Sequence, residues 1–216
     1  MITFVLVETS LPRNIGTAIR AMVTMGITNL ILVNPKQYPH DDIQTLASHA
    51  YDLINIKVLK SLPDALANFD LIIGTSARHR NFGIQTKSMD ELFDEVKNRN
   101  VAILFGPERT GLTNEDMLMC NFHMYIDANP NYPVLNLAQA TQIVAYKFNK
   151  VQAKINDTSK NDFVNFKDKS YLFNELNSYN LSKSALDKLV GVFTRLNINK
   201  SELDLLIGVL KKRFHK

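Results

Sequence analysis

The feature that most constrains this chain is a set of short, almost unbroken apolar runs separated by stretches with helical spacing. Residues 2–7 (ITFVLV), 29–33 (NLILV), 69–74 (FDLIIG) and 101–105 (VAILF) are too short for helices and rich in β-branched residues. Runs of this kind read as strands covered on both faces. Between them, residues 14–25 place Ile15, Ala18, Ile19 and Met22 on one helical face. Further helices are expected near 41–50, from Ser61-Leu62-Pro63-Asp64, and near 88–98, 113–119 and 136–153, with strands near 54–58 and 122–126. Strands alternating with helices predict an α/β domain with a mostly parallel sheet. Such sheets bind ligands at the carboxyl ends of their strands. The polar loops after residues 74, 105 and 126 all fall at such ends.

Composition changes at 155–168 (INDTSKNDFVNFKD), which is polar and aperiodic and reads as a linker. The expected organisation is a main domain over 1–154, this linker, and a helical extension over 169–216. Helices are expected near 169–179, 182–196 and 200–213, with Ser182 and Ser201 as N-caps. The extension is too short to hold a core of its own, so it should pack on the main domain or on a second subunit. It is also basic. Residues 182–216 hold eight Lys/Arg and three Asp/Glu, against a net charge of +4 for the chain, which leaves the remainder near −1. That surplus suits either a phosphate-facing surface or a solvated helix face.

No apolar run approaches the roughly 18 residues that a membrane span needs. The N-terminus lacks the basic and small-residue pattern of a signal peptide. The single cysteine, Cys120, fits a reducing compartment, hence the cytoplasm. His40, His49, His79, His123 and His215 have no metal-ligand spacing, so no metal site is expected. Dinucleotide, P-loop, nucleophile-elbow and zinc-protease motifs are all missing.

Three segments carry candidate chemistry. In Asn14-Ile-Gly-Thr-Ala-Ile-Arg20, Gly16 and Arg20 lie four apart on one helix. Gly16 permits a close backbone or ligand approach, and Asn14 stands where a side chain can cap. Phe105-Gly-Pro-Glu-Arg-Thr-Gly111 follows a buried strand, and Glu108 could pair with an arginine and hold it in place. Asn129-Pro-Asn-Tyr-Pro-Val-Leu-Asn136 is dense in turn formers, with Asn136 placed to cap the long helix. Taken singly, each segment is equally a cap, a turn or a packing device. Five of the eight arginines (Arg13, Arg20, Arg78, Arg80 and Arg109) lie in or beside the loops at issue. Their planar fork suits phosphate.

In this order, VLVETS at 5–10, NIGTAIRA at 14–21, LVNP at 32–35, GTSAR at 74–78, FGPERTGLTNE at 105–115 and NP…LNLAQA at 129–140 resemble the SPOUT superfamily of methyltransferases. The pattern is most similar to the TrmJ branch of its TrmH-like RNA 2′-O-methyltransferases. The tail contributes LxxxFTRL from 189 and SELDLLIGVL from 201. The resemblance implies a C-terminal trefoil knot, a homodimer and S-adenosylmethionine as methyl donor, with no metal required. It implies that Thr75, Ser76, Ala77, Gly106, Ile126, Pro133, Val134 and Leu135 hold the cofactor. Arg20 matches the catalytic arginine, with Asn14, Glu108 and Asn136 in support. The implied substrate is tRNA, at a cytidine or uridine opening the anticodon loop. Its contacts would be the basic tail, Arg13, Arg78, Arg80 and Arg109. An rRNA substrate, or an RNA-binding module without catalysis, are the alternatives. One position departs from the pattern: relatives commonly carry serine before the Leu-Asn pair, where this chain has Val134, so no hydroxyl acts there.

Overall fold

Ile2–Val7 (β1) is buried at every position because it runs through the interior of a seven-stranded sheet. The computed structural model describes residues 1–77, 84–152, 164–179, 181–195 and 198–214. The other strands are Asn29–Val33 (β2), Asn55–Leu59 (β3), Leu71–Thr75 (β4), Thr86–Ser88 (β5), Val101–Phe105 (β6) and Phe122–Tyr125 (β7). Their order is β3-β2-β1-β6-β4-β7-β5, and every pairing is parallel.

Alternate residues of β1, β2, β4 and β6 enter two separate cores. Ile2, Phe4, Leu6, Ile103 and Phe105 face one, while Val5, Val7, Ala102 and Leu104 face the other. With both faces covered, neither set can be polar, which is why these strands read as continuous apolar runs. The first core is closed by helices Pro12–Thr24 (α1), Asp41–Ala47 (α2), Met89–Glu95 (α4) and Leu137–Gln152 (α6). The second is closed by Leu62–Leu66 (α3), Asn114–Leu118 (α5) and the start of Phe166–Asn177 (α7). Among the described residues no helix is long and apolar enough to cross a membrane.

Several expected boundaries move. α1 begins at Pro12, whose fixed φ and missing N–H suit a first turn. The helix expected over 41–50 stops at Ala47, where Ser48 takes a left-handed φ of 52° and the chain continues as a 3₁₀ turn to Leu53. β5 has no counterpart among the expected strands. It is three half-buried polar residues at the sheet edge, without a hydrophobic signature.

The extension continues with Lys183–Arg195 (α8) and Lys200–Phe214 (α9). The expected linker ends earlier than its composition suggests. Residues 153–163 lie outside the described residues, but Phe166–Asp168 already form the first turn of α7, capped by Asn165. Ser182 caps α8 as expected, its Oγ accepting from the Ala185 amide. At α9 the cap is Asn199 rather than Ser201: Asn199 Oδ1 accepts from the Glu202 amide at 3.0 Å, and the Ser201 hydroxyl donates to the same oxygen.

The extension packs on its own main domain, but, against expectation, it also closes a small apolar core of its own around Val164, Leu172, Leu176 and Leu203. Phe166 enters the second core, and the Phe166 and Lys167 amides donate to the Phe69 and Ala67 carbonyls, each at 3.0 Å. The Thr194 carbonyl on α8 accepts from Asn121 Nδ2 at 2.5 Å and from Lys169 Nζ at 3.0 Å.

Candidate active site

The order of the sheet brings four strand ends side by side: β1, β6, β4 and β7. Gly74 on β4 is in register with both Leu104 and His123. Neighbouring strands lie about 4.8 Å apart, so the loops leaving β6 and β7 flank the loop leaving β4 within about 10 Å. Gly106, Ser76 and Ile126 are the first residues of these loops. Thr75 Oγ1 donates to the Leu104 carbonyl at 2.7 Å, and the Ser76 amide donates to the Met124 carbonyl at 3.2 Å. Gly106 is required by the loop itself, because a Cβ there would lie 2.2 Å from the Leu112 amide nitrogen. Ala77 is exposed, and Ile126 packs half-buried against the first core.

On the other side of β6, Glu108 reaches the connection between β1 and α1. Its Oε1 accepts from Asn14 Nδ2 at 2.7 Å, and its Oε2 accepts from the Ser10 amide at 3.1 Å and the Ser10 hydroxyl at 2.8 Å. Partial burial by itself would raise the carboxyl pKa. The donors from Asn14, from Glu108's own amide and from Ser10 outweigh it and hold the group below the ordinary carboxylate range. Two expectations are corrected here. Asn14 does not cap α1: the cap position is Leu11, which makes no side-chain bond, and the Asn14 amide is committed to Glu108. Glu108 has no arginine partner among the described residues, since its oxygens are taken by neutral donors that need no counter-charge. Ser10 was not singled out by the sequence, although it sits in the polar stretch directly after β1.

Gly16 is settled as a packing residue. A Cβ there would meet the Ile43 carbonyl oxygen at 2.7 Å, so the close approach is that of α2, not of a ligand. Arg20, one turn on, is exposed and faces a cleft of about 550 Å³ between α1 and the start of α6. Thr17, Arg20 and Thr24 line one wall, and Leu135, Asn136, Gln139 and Gln142 the other. Asn136 caps α6 as expected: its Oδ1 accepts from the Gln139 amide at 2.8 Å, and its own amide donates to Gln139 Oε1 at 3.2 Å. The cleft therefore joins Arg20, Leu135 and Asn136. It does not include Asn14, Glu108, Thr75, Ser76, Ala77, Gly106, Ile126, Pro133 or Val134. Val134 is 57% exposed and Pro133 half-buried. Arg13 and Arg109 are exposed, while Arg78 and Arg80 lie outside the described residues.

A model described as the SpoU rRNA Methylase family matches residues 1–146. The chain belongs to the SpoU methylase family. Among SpoU relatives, the tRNA (cytidine/uridine-2′-O-)-methyltransferase TrmJ of Citrobacter koseri is 46% identical over 151 residues. That match covers 68% of this chain and 62% of the relative, so it spans less than two thirds of the relative's length. The crystal structure of TrmJ from Z. mobilis ZM4 superposes with a TM-score of 0.85 at 26% identity, over 98% of each chain. A probable methylase family protein from Haemophilus influenzae Rd KW20 superposes with a TM-score of 0.66 at 33% identity, over 99% of this chain and 97% of its own. The SpoU fold is thus the α/β, mostly parallel architecture that the motifs imply, and the TrmJ likeness extends through the helical tail.

Proposed function

We propose that this chain is an S-adenosylmethionine-dependent RNA 2′-O-methyltransferase acting in the cytoplasm on tRNA. The target is the ribose of a cytidine or uridine opening the anticodon loop. The observation that carries the reading is the cleft in which Arg20 meets Asn136, more than a hundred residues away, while Asn14 of the same helix is bonded to Glu108. Among the described residues the Arg20 side chain has no ion-pair partner, and it is exposed to the cleft.

The donor suits the loops at the strand ends. Thr75, Ser76, Ala77, Gly106, Ile126 and the 133–135 segment offer mainly backbone donors and acceptors, the complement of an adenine edge and ribose hydroxyls. Bound there, the cofactor would supply a methyl group already activated on a sulfonium. The protein's work is then to place a ribose hydroxyl in line and to ease its loss of a proton. Arg20 is the group for this, through a fixed positive charge against the oxygen that develops negative charge and the neighbouring phosphate. Asn14, Glu108 and Asn136 act through the placement of α1 and α6. No step falls to Val134. The basic helices α8 and α9, with Arg13 and Arg109, would meet tRNA phosphates; Arg78 and Arg80 belong to the same expected contact set. A homodimer is part of the proposal, supported by the open α1–α6 face, where Leu135 and Ile143 line the cleft and Tyr146 is exposed.

Arg20→Ala should lower methyl transfer by roughly 10²–10³-fold. Calorimetry with S-adenosylmethionine should give a nearly unchanged affinity. Near-normal turnover would remove Arg20 from the mechanism. Mapping of ribose methylation in tRNA and rRNA from cells with and without the gene separates the two substrates, since the lost modification names the target.

A further inference from the structure

The bonds that hold Glu108 come from two residues of one connection. Ser10 and Asn14 lie on either side of the entry to α1, and both reach across to the loop after β6. Ser10 supplies two donors, its amide and its hydroxyl, both to Oε2. A carboxylate held at one oxygen by a rigid backbone donor and a hydroxyl cannot rotate freely. Its other oxygen is then fixed in direction, and that oxygen is the partner of Asn14 Nδ2. Because a carboxylate only accepts, Asn14 must turn its NH₂ toward Glu108 and its carbonyl oxygen away. Asn14 shares a helix face with Thr17 and Ala21, at three and seven residues' spacing, and both of these line the Arg20 cleft. The orientation of this wall of the cleft is therefore set from outside it.

We propose that Ser10 is a positioning residue for methyl transfer, its hydroxyl locking Glu108 so that Asn14 and the first turns of α1 hold Arg20 in register with Asn136. This rests on the methyltransferase reading above. Ser10 acts at second hand, touching neither the ribose nor the donor. The hydroxyl also favours the ionised form of Glu108, so its loss should be visible at that carboxyl as well as in turnover.

The test compares wild type with Ser10→Ala in single-turnover methylation of tRNA, in calorimetry with S-adenosylmethionine, and in a ¹³C carboxyl titration of Glu108. The expected result is a roughly 10- to 100-fold fall in the methyl-transfer rate. Cofactor affinity should be unchanged and the Glu108 titration should move to higher pH. Ser10→Thr keeps the hydroxyl and should recover most of the rate, whereas Ser10→Val has the same shape without it and should not. That isosteric pair decides the matter should Ser10→Ala melt early. A variant lacking the hydroxyl with wild-type rate, or with a reduced rate but an unmoved Glu108 titration, would overturn the role of Ser10 alone. A wild-type protein that transfers no methyl group to any RNA would overturn it together with the reading on which it rests.

Discussion

At the scale of single residues, Gly16 and Asn14 make the same point from opposite directions. Both belong to one motif, yet one faces the structure and the other faces the site's support. Gly16→Ala would push a methyl group toward the carbonyl oxygens of Ile43 and Asp42, at 2.7 and 3.1 Å. Neither backbone can yield without moving α2. The expected cost is about 1–3 kcal/mol of folding stability, read as a lower denaturant midpoint. An unchanged midpoint would mean that α1 and α2 separate freely. The sequence made Gly16 visible as a close-approach residue but could not say what approached. For Asn14 it offered a cap, because a polar side chain at a helix start has that as its local option. The real partner, Glu108, lies 94 residues away. Contacts at that range have no periodic signature, which is also why Ser10 passed unnoticed. Asn136 was legible because its cap is local.

At the scale of elements, legibility follows burial. Strands covered on both faces announce themselves as apolar runs, and β1, β2 and β6 lie where their runs are. β5 pairs only at the edge and has nothing apolar to show, so the sequence predicts no strand there and only Ser88 falls within the helix expected near 88–98. The start of α7 was hidden in the same way inside a polar stretch, although Phe166 was its one apolar anchor. Phe166 is 9% exposed, lies in the second core, and begins the helix that carries the extension. Phe166→Ala should cost about 3–5 kcal/mol. Its specific signature is faster proteolytic loss of residues beyond 165, with the main domain remaining intact. Equal cleavage rates in wild type and variant would mean that Phe166 is not what anchors the extension.

At the scale of the whole molecule, a buried cation sits at the carbonyl that joins the two parts. Lys169 is 5% exposed, and its Nζ donates to the same Thr194 carbonyl that Asn121 holds from the main domain. Burial, with Arg99 adding to it and Asp70 opposing, lowers its pKa from 10.5 to about 8. Between these two values the unfolded chain binds more protons than the native one, so this group makes stability rise as pH climbs from about 8 toward 10.5. Denaturant unfolding at pH 7.5 and 9.5 should show that gain in wild type and lose it in Lys169→Met. The same gain in both proteins would assign it to other groups. The sheet's parallel character was legible in the alternation of strands and helices, but the order of the strands was not, because β1 pairs with β2 on one side and β6 on the other. That arrangement has a consequence for synthesis. The edge of β1 that β6 will cover, Ile2 through Leu6, waits for Val101 through Phe105 to be made. At ~5–20 residues per second, a gap of about a hundred residues leaves that edge open for roughly 5–20 s on the ribosome. The strand nearest the start of the chain is therefore the one most exposed to wrong partners before the fold can close over it.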